Sequence, residues 1–311
     1  MFLTEIPSPS ISYIDLGPFR VHFYALFIII GIFVAAYMGH RRLKARGAKG
    51  LEVTDIALWA VPFGIVGGRI VHVLTHLGDY VGEGKDFSAV FRIWEGGLAI
   101  YGALIFGFLG AWLGSRTTGI KLLAFADAVA PGILIAQAIG RLGNYFNQEL
   151  FGAPTTLPWG LAIEAGNPAL PAGLPIDTLY HPTFAYEALL NLVGAAVLLL
   201  LDRKFELRWG KLFALYLVWY STVRFFIEDL RIDPSEIFLG LRTFQWFALA
   251  GVAIGIGLFL LQQRRHPGLE TTVYFREPAA VTDEDDSQDD YSNADQPADE
   301  PTDVSSETKA K

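Results

Sequence analysis

Apolar residues along this chain fall into long runs instead of alternating with polar ones, and seven of the runs are long enough to cross a bilayer as helices. A hydrocarbon core of about 30 Å needs roughly 20 residues of helix. The predicted spans cover approximately 20–40, 55–76, 97–114, 122–146, 183–201, 209–229 and 244–261. The connections differ in charge. Arg41, Arg42, Lys44, Arg46 and Lys49 follow the first run, Arg116 and Lys121 the third, Arg203, Lys204, Arg208 and Lys211 the fifth, and Arg264 and Arg265 the seventh. The opposite connections carry only Lys85, Arg92, Arg231 and Arg242. Basic residues stay on the cytoplasmic side, so the N-terminus is expected outside and the C-terminus inside. The expected fold class is an all-α polytopic membrane protein with seven transmembrane helices. Two outside connections, about 78–95 and 148–181, are too long for turns. The second, rich in proline and glycine, reads as a small external cap. No internal repeat is evident, which weighs against an inverted-repeat transporter.

Composition changes this picture in two places. The chain has 311 residues and no cysteine, so it supplies no disulfide, thiolate metal site or cysteine nucleophile. Any thiol chemistry must use a thiol from elsewhere. The net charge of -8 is concentrated at one end: from Gly268 onward 13 acidic residues face 3 basic ones, a contribution of -10, which leaves the body at 21 - 19 = +2. The expected division is a membrane domain over 1–266 and a disordered acidic cytoplasmic tail over 267–311, because so few apolar residues cannot offset chain entropy. Residues 1–19 lack the basic start of a signal peptide, so the first run is expected to be a retained span.

Polar residues inside the runs are costly, on the order of a few kcal/mol each, unless they face the bundle interior and find partners. With the topology above, nearly all of them lie toward the outside: His22 and Tyr24 in the first span, Arg69, His72 and His76 in the second, and Tyr101 in the third. Arg141, Asn144 and Asn147 close the fourth, His181, Tyr186 and Glu187 open the fifth, and Arg224 and Glu228 close the sixth. Gln137, Arg141, Asn144 and Gln148 share one helix face, and Gly140 and Gly143 beside Arg141 permit close approach of a helix or ligand. Arg69, Arg141 and Arg224 present forked donors at one depth, which suits a phosphate and, at that depth, an anionic lipid headgroup. Asp127, on the inner side, reads as a structural hydrogen-bonding residue. His72 and His76 read as helix-end histidines, with no third metal ligand in view, and Tyr13, Tyr24, Trp94 and Trp159 fit an interfacial aromatic belt.

The blocks GRLGNYFNQELFG at 140–152, GGRI at 67–70, WEGGLAIYG at 94–102, HPTFAYE at 181–187 and RFFIEDLR at 224–231 strongly resemble bacterial prolipoprotein diacylglyceryl transferase, in order and spacing, over about 15–265. The resemblance implies a plasma-membrane enzyme, its active site toward the outer leaflet, that moves the diacylglyceryl group of phosphatidylglycerol onto the lipobox cysteine of a prolipoprotein and releases glycerol 1-phosphate. It implies phosphatidylglycerol, prolipoprotein signal peptides and membrane lipids as partners, no nucleic acid, no metal or other cofactor, and a monomer. By position, Arg141, Asn144, Glu149 and Gly152 match the family signature, Tyr24 its first-span tyrosine, and Arg224 and Glu228 its sixth-span pair. One position departs: well-known members have histidine where this chain has Tyr101, and a tyrosine, with an ordinary pKa of about 10, is a poor base at neutral pH.

These assignments lead to a mechanism expected in outline. Arg141, Arg224 and Arg69, with Asn144, Tyr24 and Gly152, bind the headgroup. Arg141 and Arg224 stabilise charge on the leaving phosphate, and Tyr101 orients. Glu149, Glu228, the lipid phosphate and water are all open as acceptors of the thiol proton. The competing expectation is a lipid or anionic-solute transporter with an arginine site, which would spread its polar groups through both halves of the membrane.

Overall fold

The computed structural model describes residues 5–276 apart from 18, 83, 172 and 176. Seven long helices run through them: α1 (Phe23–Ala45), α2 (Glu52–Thr75), α3 (Ile100–Thr118), α4 (Leu122–Phe146), α5 (Thr183–Phe205), α6 (Lys211–Leu230) and α7 (Thr243–Arg265). Five of these, α1, α2, α4, α5 and α7, are long and apolar enough to cross a membrane, so the chain is a mostly helical, multi-pass membrane protein. The other two are set apart by polar residues within a short length. α3 has 19 residues and ends in a polar Ser115-Arg116-Thr117-Thr118 turn, and α6 carries Lys211, Arg224, Glu228 and Asp229. The hydropathy runs predict helix starts to within a few residues, but α1, α5 and α7 continue past the expected ends at 40, 201 and 261. Their last turns hold Arg42 and Lys44, Arg203 and Lys204, and Arg264 and Arg265. Cations there oppose the negative end of the helix dipole while their stems cover apolar surface, so the helix outlasts the apolar run.

The bundle is built from pairs. α1 lies along α4, α2 along α3, α6 along α7, and α5 packs against α4 and α6. Glycines let the backbones meet. A Cβ on Gly102 of α3 would strike the Gly67 carbonyl of α2, and one on Gly114 would lie 2.8 Å from the Ile56 Cα. Close van der Waals approach of small residues is what holds helices together where lipid removes any hydrophobic advantage. Gly102→Val is therefore expected to force α2 and α3 apart and cost about 1–3 kcal/mol. Thermal unfolding in detergent is the check, and an unchanged melting temperature would show that the pair tolerates separation.

Three small antiparallel sheets accompany the helices. β1 (Tyr13–Leu16) pairs with β2 (Phe19–His22) ahead of α1. β3 (Pro154–Thr155) and β4 (Leu161–Ala162) flank β5 (Leu179–Tyr180), and β6 (Ile237–Phe238) pairs with β7 (Leu241–Arg242) ahead of α7. The β3–β5–β4 sheet gives the 148–181 segment its own core of Phe151, Leu161, Ile163 and Tyr180.

At the end of the bundle rich in basic residues, fully buried Asp127 of α4 accepts from the backbone N–H groups of Gly210 at 2.8 Å and Phe213 at 2.9 Å, capping α6 from outside it. This is the structural role read for it from sequence. Arg42 (3.0 Å), Arg46 (3.1 Å) and Arg208 (3.0 Å) converge beside it on Asp202. The stretch after α7 departs from expectation. The 267–311 segment reads as wholly disordered, yet Val273 and Tyr274 are buried. Lys121 N–H donates to the Val273 carbonyl at 2.8 Å, Phe275 N–H to Gly119 at 2.9 Å, and the Tyr274 hydroxyl to Glu52. Val273 and Tyr274 supply enough apolar surface to dock this stretch, a signal lost when they are averaged with the acidic run behind them. Residues 277–311, where the rest of the expected tail falls, lie outside the described residues.

Candidate active site

At the opposite end of the bundle, α4 carries Gln137, Arg141 and Asn144 on one face and stops at Phe146. Gln148 (φ 49°) and Leu150 (φ 58°) then take left-handed backbone conformations, which side chains with a Cβ adopt at a cost. Together they fold the intervening residue, Glu149, back over the end of its own helix. Its carboxylate accepts from the Asn144 amide at 2.7 Å and the Asn147 amide at 3.2 Å.

Arg141 donates to Asn144 Oδ1 at 3.1 Å and to Glu187 Oε1, from α5, at 2.5 Å. The other oxygen of Glu187 lies 3.9 Å from Arg224 Nη1 of α6, so one carboxylate, 2% exposed, joins the two arginines. Arg224 also pairs with Glu228 one turn along α6, at 2.5 Å. Glu228 is fully buried and receives Arg242 Nε at 3.0 Å and, more loosely, Arg231 at 3.8 Å. Asp233 closes the array through two bonds from Arg231, at 2.7 and 2.8 Å. Burial pushes the Asp233 carboxyl up, but the hydrogen bonds and charge of Arg231, with Arg242, outweigh it and hold the group below the usual carboxylate range. Four cations and four carboxylates, counting Glu149, thus form one chain of contacts from the end of α4 to the start of α7. Three helices, α4, α5 and α6, position it together with the β7 residue Arg242 and the stretch after α6, and a small cavity lined by Arg141, Asn144, Thr183 and Glu187 opens beside it.

The other residues singled out from sequence divide. Tyr24 of α1 packs its ring over Gly143, within electrostatic reach of Glu149 and Arg141. Gly143 is thus a helix-approach glycine, while a Cβ on Gly140 would meet open space next to Arg141. Tyr101 packs against Phe244 and Phe247 of α7, ring centroids 6.1 and 4.8 Å away, within reach of Arg224 and Glu228. One expectation changes. Arg69 does not join the other arginines: it donates to the carbonyls of Val90 (2.8 Å), Ala89 (2.5 Å), Gly96 (2.7 Å) and Gly97 (3.0 Å). Four of the five N–H groups of a guanidinium are spent in this way on the 86–97 loop, which leaves no fork for a phosphate. Gly152 is closely packed against neighbouring backbone and side chains. Its N–H donates to the His181 carbonyl at 2.9 Å, and a Cβ would crowd His181, Thr183 and the Leu230 carbonyl. His72 and His76 stack at 4.4 Å, and no group of three metal-binding side chains occurs among the described residues.

Arg69→Ala is expected to free the loop. Losing even one charge-assisted bond of about 1.5 kcal/mol raises local opening roughly tenfold. Amide exchange over 86–97 would report it, and unchanged exchange would show that the loop is held by other means.

The profile of the prolipoprotein diacylglyceryl transferase family matches residues 12–261. The chain belongs to that family. It is 49% identical over 284 residues, 88% of this chain and 85% of the relative, to a phosphatidylglycerol--prolipoprotein diacylglyceryl transferase of Leifsonia xyli. It is 48% identical to one of two such transferases of Streptomyces coelicolor, covering 87% of this chain and 84% of the relative, and 52% identical to that of Frankia alni, covering 85% and 69%. Within this transferase fold, the motif residues Arg141, Asn144, Glu149, Arg224 and Glu228 lie in one network, with Tyr24 and Tyr101 at its borders.

The sequence puts Glu187 in the polar layer without marking a role for it, and Arg242 reads there as a connection charge. The signal for Glu187 was an acid one turn into a span, after HPTF, where an unpartnered carboxylate would be untenable. For Arg242 no sequence signal distinguished it from a solvated loop cation.

Proposed function

We propose that the chain transfers the diacylglyceryl group of phosphatidylglycerol to the lipobox cysteine thiol of a prolipoprotein, forming a thioether and releasing glycerol 1-phosphate. In this reading all seven helices span the plasma membrane, with the N-terminus outside, the C-terminus in the cytoplasm and the arginine network toward the outer leaflet. The protein works as a monomer on lipid and signal peptide arriving from the membrane. The observation that carries the reading is the pair of largely buried arginines, Arg141 and Arg224, joined by a single carboxylate at the end of the bundle. A phosphodiester anion is matched to that pair in charge and in forked geometry.

The attacked carbon is the glycerol carbon bearing the phosphate ester. Sulfur forms the new bond there, the carbon–oxygen bond breaks, and its electron pair leaves on phosphate oxygen. Arg141 and Arg224 bind the phosphate and stabilise that growing charge in a poorly screened site. Asn144, itself bonded to Arg141 and Glu149, keeps the first guanidinium aimed, while Tyr24 and Tyr101 orient the headgroup from either side. The absence of cysteine from the chain agrees with a thiol supplied by the second substrate.

The test is to incubate the purified protein with phosphatidylglycerol vesicles and a lipobox peptide and to look by mass spectrometry for a thioether-linked diacylglycerol. No adduct, where a relative under the same conditions produces one, would overturn the assignment.

A further inference from the structure

Glu187 is the one carboxylate, among the described residues, that touches both arginines assigned to the phosphate, and it sits 2% exposed between them. Its grip is uneven. It bonds Arg141 at 2.5 Å but stands 3.9 Å from Arg224 Nη1, a buried nitrogen that makes no hydrogen bond. One turn deeper on α5, Asn191 is fully buried with neither amide atom hydrogen-bonded. Glu228 is placed differently: Arg231 and Arg242 hold it independently of Arg224, so it keeps its counter-charge whatever binds in the clamp. Glu149 is held by two neutral amides and is absent from the arginine bridge.

These contacts give Glu187 alone a state that depends on the substrate. A phosphodiester taking Arg141 and Arg224 competes for the donors that Glu187 now uses, and Arg224 Nη1 is a donor still without a hydrogen bond. We infer that Glu187 is the resident anion of the clamp and that, once lipid phosphate displaces it from the arginines, its carboxylate accepts the proton of the acceptor thiol. This rests on the transferase reading above. A carboxylate freed from its guanidinium partners has lone pairs to offer, and within hydrogen-bond reach of the thiol it can act as a general base. The step balances: the S–H proton passes to a Glu187 oxygen, the sulfur electron pair forms the S–C bond, and the C–O pair leaves on the phosphate. The proton then passes to the departing phosphate monoester or to water. The regenerated carboxylate bridges the arginines again, which helps expel the product.

The experiment compares wild type, Glu187→Gln and Glu187→Asp for phosphatidylglycerol binding and for the pH profile of kcat. Glu187→Gln removes both the competing charge and the acceptor. It is expected to bind phosphatidylglycerol at least as tightly as wild type and to lose roughly a hundredfold in kcat at neutral pH. That rate should recover about tenfold per pH unit toward the ordinary thiol pKa of about 8.5, as the peptide ionises without help. Glu187→Asp keeps a carboxylate but draws it back by one methylene, so it should bind lipid normally and lose less rate than Glu187→Gln, with that loss recovering at alkaline pH. A Glu187→Gln enzyme within about threefold of the wild-type kcat would overturn the inference. So would one that loses lipid binding and rate together with no recovery at alkaline pH, the outcome of a purely structural role. If Glu187→Gln does not fold, a slow Glu187→Asp enzyme with normal lipid binding and alkaline recovery supports the inference, and one without that recovery overturns it. Failure of the transferase reading is distinguishable, since the wild type would then form no adduct at any pH.

Discussion

Arg141→Ala is expected to lower kcat/KM for diacylglyceryl transfer by roughly a thousandfold or more, and Arg224→Ala by a similar amount. Removing a single well-aimed donor from a site of developing negative charge costs about a hundred- to a thousandfold, and each arginine brings a fork of donors with a full charge. The variant also leaves damage behind. Without Arg141, Glu187 keeps only the 3.9 Å contact with Arg224, and Asn144 loses the guanidinium that it accepts from. Lysine should recover only part of the rate, because a point charge cannot span phosphate and Asn144 at once. Since one carboxylate ties the two arginines together, the double alanine variant should fall well short of the product of the two single losses. Kinetics with a lipobox peptide in phosphatidylglycerol vesicles provide the check. If Arg141→Ala ran within about tenfold of wild type, the phosphate clamp would be the wrong account of the network.

Glu228→Ala is expected to be the most destabilising single change at this end of the bundle. The carboxylate is fully buried, and Arg224, Arg242 and Arg231 all point at it from 2.5, 3.0 and 3.8 Å. Removing it strands like charges beside one another, and breaking a buried pair from one side costs about 3–5 kcal/mol. The damage should spread to β6 and β7, because Arg242, bonded to Glu228, also donates to the carbonyls of Arg231 at 2.5 Å and Asp233 at 2.6 Å. The expected result is a clear drop in melting temperature in detergent, with Glu228→Gln milder because its amide oxygen still accepts. A Glu228→Ala protein as stable as wild type would mean that the three arginines reach water or other acceptors with ease.

The two arginines and Arg69 look alike in sequence, each interrupting an apolar run, and that is why all three read as phosphate ligands. The distinction lies in the 86–97 loop. Its backbone carbonyls meet the Arg69 fork 20 or more residues along the chain, and no local pattern encodes that encounter. Gly152 is ambiguous in sequence for a related reason. A glycine in a signature motif is compatible with a ligand or with a neighbouring backbone, and here the neighbours are His181, Thr183 and Leu230, more than 20 residues away in sequence.

Sequence by itself determined the helices, because a segment in hydrocarbon must satisfy its backbone within itself and so declares its length residue by residue. It also determined which polar residues matter, since each one buried in such a helix carries a cost that only a partner or a function offsets. Tertiary structure decided who those partners are. Glu187 joins Arg141 to Arg224, Arg242 reaches back to Glu228, and Tyr274 docks the start of an apparently featureless tail on Glu52. Each of these contacts links residues on different elements, and electrostatic pairing depends on distance in space, which periodicity along one helix does not specify.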